Sequence, residues 1–296
     1  MNPTSPLRWA ADIRVMLRTA LGNDAFPVDV TRLALEWSPV RFPDDPVSRV
    51  AGDILPNFDG ALVRDPAGQR GWMILYDRSG TSVGRQRFTI AHEFGHYLLH
   101  RAISPAGFHC RGEDFIRTDP AYRQMEGEAN VFATNILMPL DDFRAQVPER
   151  DGVDLERLGL CAERYGVSLI AAALRWLEYT QKRAVLVLSR EGFILWAWSS
   201  DPALQSGLFF KTTGRPPIEV PLPSLAATVP LDHGECVIEQ HPENVWFPEE
   251  CQELLLPSER YDFSISLLLF SNVLPDWETQ RANRARALGL VHTRQD

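Results

Sequence analysis

The sequence predicts an α+β protein: a largely helical first part containing one β-hairpin, followed by a β-rich C-terminal part. Three observations carry this expectation. Apolar residues recur with helical spacing through most of residues 8–182, two runs of β-formers flank a turn within 58–77, and from residue 184 onward short β-rich segments alternate with Pro and Gly. At 296 residues the chain is long enough for a large core and for two domains.

Taken in order, helices are expected over 8–22 and 28–37, the second announced by Pro27 and Asp29. Residues 44–56 read as irregular. The stretch "GALVRDPAGQRGWMILYD" reads as a hairpin turning at Asp65-Pro66-Ala67-Gly68. A helix is expected over 82–100, then a loop over 101–119 where Pro105, Gly107 and Gly112 fall. A second strong helix over 121–138 is stopped by Pro139. Residues 141–182 are helical again, in "DDFRAQV", "LERLGLCAERYG" and "SLIAAALRWLEYTQK". Beyond Lys182, "RAVLVLSREGFILWAWSS", "GLFFKTT", "ECVIEQ" and "DFSISLLLF" read as strands, and "DWETQRANRARALGL" as a closing polar helix. The expected divisions are 1–140, 141–183 and 184–296.

A net charge of −9 argues against tight nonspecific binding to nucleic acid, which rests on Lys and Arg, and is compatible with a basic protein partner. The acidity sits mostly in 184–296, where eight basic residues face fifteen acidic ones; residues 151–183 hold five of each. No apolar run approaches the ~18 residues of a membrane span, and the charged N-terminal helix is unlike a signal peptide, so the expected location is the cytoplasm. Cys110, Cys161, Cys236 and Cys251 form no CxxC pair; neither disulfides nor a cysteine zinc finger is expected of them. Nothing in the sequence specifies an oligomeric state.

The chemistry is concentrated in "RQRFTIAHEFGHYLLHR", residues 85–101. On a helix, His92 and His96 lie one above the other and can aim imidazole nitrogens at one ion. Apolar neighbours bury such a helix, and Gly95, at a cost of about 1 kcal/mol against Ala, lets another element come close. Catalytic zinc takes three protein ligands and one open position. The helix "MEGEANVFATNILMP" offers Glu126 as the third, with Asn130 one turn on to hold a histidine by its second ring nitrogen. Glu128, roughly 200° around the wheel from Glu126, is the second choice. Glu93 fits a general base acting on zinc-bound water, whose pKa the ion lowers to about 7. A His/His/Glu site also accepts Mn2+ or Fe2+. His100 follows no glycine turn and reads as a helix-end residue near the last carbonyls. His109 reads as an exposed loop residue beside Cys110, His233 and His241 as surface residues, and Trp196 and Trp198 as core.

"RQRFTIAHEFGHYLLH" followed by "EGEANVFATNILMP" resembles the ImmA/IrrE family of zinc metallopeptidases, with Ile136 where the family ending has a Leu. The hairpin before the motif is similar too, and the resemblance covers roughly residues 55–180. It implies a gluzincin-like fold with a helix-turn-helix-like appendage at 141–183 packed on the peptidase domain, and Glu126 in the ligand position. It implies a protein substrate, a helix-turn-helix repressor of the XRE type, cut to relieve transcription under stress. In "LERLGLCAERYGVSLIAAALRW" Gly166 stands at the turn, and the balanced charge of the segment argues for packing over DNA binding. Some members carry a GAF-like sensory domain next, for which 184–296 has the length and strand content. A toxin–antitoxin-like switch would share this chemistry. The alternative reading is a non-catalytic, peptidase-like regulator that binds a repressor or DNA, whose function would survive loss of Glu93.

Overall fold

Ser5 starts the first helix, α1 (Pro6–Leu21), by accepting the Arg8 amide, with Pro6 at its first position. The computed structural model describes residues 5–55, 58–65, 71–79, 82–104, 107–110 and 120–287. Asp29 caps α2 (Val30–Arg32), which passes through a π-helical turn at Leu33–Trp37 into α3 (Ser38–Arg41). By contact density the described chain divides into two compact units, 1–143 with 162–168, and 144–161 with 169–296.

The first unit holds a four-stranded sheet of order β1-β3-β2-β4: β1 (Val47–Asp53), β2 (Gly60–Arg64), β3 (Trp72–Asp77) and β4 (Phe108–Cys110). The expected hairpin is present, with Gly60 paired to Tyr76 and Arg64 to Trp72; most of its turn, 66–70, lies outside the described residues. Two strands correct the sequence reading. Residues 47–53, read as irregular, pair in parallel with β3, because neighbouring backbone recruits a segment of weak intrinsic β-preference. Residues 108–110, read as loop, pair with β2, and Gly107 (φ +99°) lets the chain pass close to the Leu62 carbonyl, where a Cβ would lie 2.2 Å from the oxygen.

A long helix, α4 (Val83–His100), lies on β2 and β3 of this sheet, and a second, α5 (Pro120–Leu137), packs on α4 and α1, ending just before Pro139 as expected. Gly95 is where they meet: a Cβ there would stand 3.1 Å from Phe132 Cδ1 and 3.2 Å from the Ala129 backbone. The ring of Phe94 meets Phe132 edge-on at 6.0 Å and stacks on Tyr97 at 5.7 Å, while Trp9, Trp37 and Phe42 extend the cluster. Next come α6 (Leu140–Gln146), α7 (Leu155–Tyr165) and α8 (Leu169–Leu177). Gly166, at φ +62°, ends α7, and the amides of Gly166 and Val167 return to Glu163 and Ala162, a glycine-capped helix end. Asp142 accepts from Arg164 Nε and Nη2, at 3.0 and 3.1 Å, and from the Tyr165 hydroxyl at 2.6 Å.

The second unit is built on a six-stranded antiparallel sheet, β7-β6-β5-β10-β9-β8. Its strands are β5 (Ala184–Arg190), β6 (Phe193–Ser199), β7 (Ile218–Glu219), β8 (Val237–His241), β9 (Cys251–Ser258) and β10 (Phe263–Phe270). Three short or late helices accompany them: α9 (Asp201–Gln205), α10 (Leu225–Thr228) and the expected polar helix, α11 (Trp277–Ala287). "GLFFKTT" is not a strand; it is irregular backbone whose Leu208 is buried and whose Phe210 packs on Trp246 and Phe247. In its place β9 forms, unforeseen because Glu253 and Pro257 interrupt the apolar pattern. Glu253 is fully buried yet satisfied by the amides of Leu225 and Ala226, Trp246 Nε1, the Ser266 hydroxyl and His241 Nε2. His241 is therefore buried rather than a surface residue, while His233 is exposed as expected. Trp198 is 58% exposed on β6, so it is no core residue, and Trp196 is half-buried. Cys161 and Cys251 are buried and Cys236 is exposed. Among the described residues, no helix is long and apolar enough to cross a membrane.

Candidate metal centre

The motif helix begins at Ser82, whose hydroxyl accepts the Arg85 amide at 3.2 Å, and is buried almost without a break from Thr89 to His100. Because Ala129 lets α5 approach Gly95 closely, the α5 residue one turn before Asn130 reaches the two histidines. Glu126 stands with Oε2 3.2 Å from His92 Nε2 and Oε1 3.3 Å from His96 Nε2, and the two Nε2 atoms are 3.0 Å apart. All three side chains are buried. The chain thus brings together His92, His96 and Glu126, the set read from the helical spacing.

The outer nitrogens define which ring atoms are free. His92 Nδ1 lies 2.9 Å from Asn130 Oδ1, an oxygen that can only accept, so His92 carries its neutral-form proton on Nδ1 and leaves Nε2 as a lone pair. His96 Nδ1 lies 3.0 Å from His100 Nδ1, and His100 Nε2 lies 3.0 Å from Glu128 Oε2. His100 does end the helix, as expected, but its ring does not serve the last carbonyls; it is buried between His96 and Glu128. Glu128 does not join Glu126 but binds His100, and also receives Gln124 at 2.9 Å. Phe108 of β4 stacks on the His96 ring at 4.6 Å and 20°. His109 follows it in that strand; its side chain and that of Cys110 lie outside the described residues.

The charges respond to this crowding. Burial pushes His96 down to about 4 despite its hydrogen bond to Glu126. Burial opposes charge on His92 as well, but the hydrogen bond to Glu126 and the charges of Glu93 and Glu126 hold it above its ordinary value. For Glu126 burial alone would raise the pKa; the hydrogen bonds of His92 and His96 hold it well below the usual carboxylate range instead. Two imidazole lone pairs and a carboxylate oxygen facing one another at such distances repel unless a cation sits among them. A tetrahedral ion bonded at about 2.0–2.1 Å needs ligand atoms roughly 3.3–3.4 Å apart. The observed separations, 3.0 Å between the two nitrogens and 3.2 and 3.3 Å from them to the two Glu126 oxygens, lie at or a few tenths of an ångström below that spacing.

Glu93 is fully buried, one residue beyond His92 on α4, and its charge acts on His92. Sequence reasoning missed what makes room for it. Gly60 of β2 lies against it: a Cβ at Gly60 would stand 2.8 Å from Glu93 Oε1 and 2.5 Å from Thr89 Cγ2. A glycine opening a strand is too common a signal to be noticed in one sequence.

The family model Peptidase_M78, described as the IrrE N-terminal-like domain, matches residues 28–177, half of the chain. No curated protein matches the chain.

Proposed function

The chain belongs to the Peptidase_M78, IrrE N-terminal-like, family, and we propose that within it this protein is a zinc-dependent endopeptidase that cuts a helix-turn-helix repressor of the XRE type in the cytoplasm. The observation that carries the catalytic part of the reading is the convergence of His92 Nε2, His96 Nε2 and Glu126 on one point, with a buried carboxylate, Glu93, beside it. His92, His96 and Glu126 would hold the ion. When bound, it would act as a Lewis acid, lowering the pKa of a water to about 7 and polarising the scissile carbonyl. Glu93 accepts the proton of the attacking water and returns it to the leaving amine, cycling once per bond cut. Asn130 keeps the proton of His92 on Nδ1. The repressor substrate is inferred from membership of the family, and the helices at 155–177 are assigned to packing rather than to DNA.

The test is incubation of the full chain with small XRE-type helix-turn-helix repressors from its own genome. Two fragments are expected, their appearance stopped by a chelator and restored by zinc. A metal-replete chain that binds the repressor and leaves it intact would replace this reading with that of a non-catalytic regulator.

Gly60→Ala offers a finer check. The added methyl must displace either β2 or the Glu93 carboxylate. Misplacing a catalytic group by about 1 Å can cost 100-fold in rate. Cleavage is expected to fall by one to two orders of magnitude while zinc content, measured by elemental analysis, stays at the wild-type level.

A further inference from the structure

We propose that His100 and Glu128 are positioning residues that fix the tautomer and orientation of His96, forming a carboxylate–histidine–histidine relay behind the metal site; the inference rests on the metal reading above. The argument is one of donors and acceptors. Glu128 Oε2 and His100 Nε2 are 3.0 Å apart, and an ionised carboxylate can only accept, so His100 carries its proton on Nε2. A neutral His100 then has a bare Nδ1, which lies 3.0 Å from His96 Nδ1. Of two nitrogens that close, one must donate, and His96 is left to do so. Its proton is therefore on Nδ1, and its Nε2 faces His92 Nε2 and Glu126 as a lone pair.

The surroundings fit this assignment. His100 is 2% exposed, so water does not compete for its ring. Phe108 stacks on His96 and also touches the His100 ring, at 5.8 Å between centroids, so both planes are held from one side. The two histidine ligands are thus served differently: His92 by an amide oxygen, His96 by a second histidine whose own proton is set by a carboxylate on the facing helix. Helix spacing places His96 and His100 together, one turn apart. The spacing that brings them together is what allows α5 to supply Glu126 to the ion and Glu128 to the relay, two residues apart on different faces.

The test uses the full chain and reads zinc affinity by competition with a chromophoric chelator, with thermal unfolding of the metal-free protein as a folding control. Outer partners of metal-binding histidines are worth on the order of 10- to 100-fold in affinity. Glu128→Ala and His100→Leu are expected to weaken zinc binding within that range. His100→Asn, whose side-chain oxygen falls near the former Nδ1 and can accept from His96, is expected to recover most of the loss. Imidazole 15N shifts of the metal-free wild type should place the His96 proton on Nδ1, and those of His100→Leu should show a mixture. The relay is overturned if Glu128→Ala and His100→Leu bind zinc as the wild type does while Glu126→Ala does not. It is equally overturned if His100→Asn is as weak as His100→Leu, which would make ring volume the cause. Should His100→Leu fail to fold, Glu128→Ala decides, since its side chain is 34% exposed and its loss leaves the core intact. A wild type that binds no zinc removes the metal reading itself, and the relay with it.

Discussion

Glu93→Gln is expected to keep its zinc and lose its cleavage. Glutamine has nearly the shape of glutamate, so the pocket formed by Thr89 and Gly60 accepts it without the steric conflict that a larger residue would create. The three nitrogen and oxygen atoms that face one another belong to other residues, so the metal site is untouched. What disappears is the group that takes a proton from the attacking water and delivers it to the leaving amine. General-base catalysis is worth roughly 10²–10⁴ in rate. Fragment formation from the repressor should fall by at least that much, with elemental analysis still showing about one zinc per chain. A variant that cuts at the wild-type rate would show that the proton moves by another group. One side effect is expected as well: Glu93 charge helps to hold His92 above its ordinary pKa, so removing it should let the metal-free site release that proton at lower pH.

How much of this was legible in the sequence follows a simple division. His92, Glu93, His96 and Glu126 could be found because helical spacing is local: two turns of one helix and the register of the next are written in consecutive residues. Gly95 could be read for the same reason, and Ala129 does approach it closely. His100 was placed on the right helix but given the wrong neighbour, since Glu128, which binds its Nε2, becomes a neighbour only when α5 packs. The strands β1, β4 and β9 were missed because their residues have little β-preference of their own. Val47–Asp53 is extended because β3 lies beside it, and Cys251–Ser258 because β10 and β8 flank it. Glu253 illustrates the same point from the inside. A glutamate in the middle of a candidate strand argues for a solvent face, and only the five donors gathered around it by the fold make its burial affordable.

Glu126→Ala is expected to have the largest effect on the metal, abolishing stoichiometric zinc at micromolar free metal, where the Glu128 relay variants lose affinity only in part. The difference is one of charge and ligation. Glu126 is the single carboxylate among the three converging side chains, and without it the site consists of two neutral imidazoles in a buried setting. Two ligands do not complete a zinc site, which needs three from the protein. The pH dependence of loading sharpens the test. Glu126 is held below its ordinary value and His96 near 4, so both stand deprotonated at neutral pH and are ready to bind. His92 is held above its ordinary value, and a proton on it must leave before metal enters. Apparent zinc affinity of the wild type should therefore be level at alkaline pH and fall as pH drops through the raised His92 value, about tenfold for each unit below it. In Glu126→Ala the hydrogen bond and charge that raise His92 are gone, so what weak binding remains should begin to fall only at lower pH. If the variant instead keeps one zinc per chain with the wild-type pH profile, Glu126 is no ligand, and the ion must be held by His92 and His96 with a different third group.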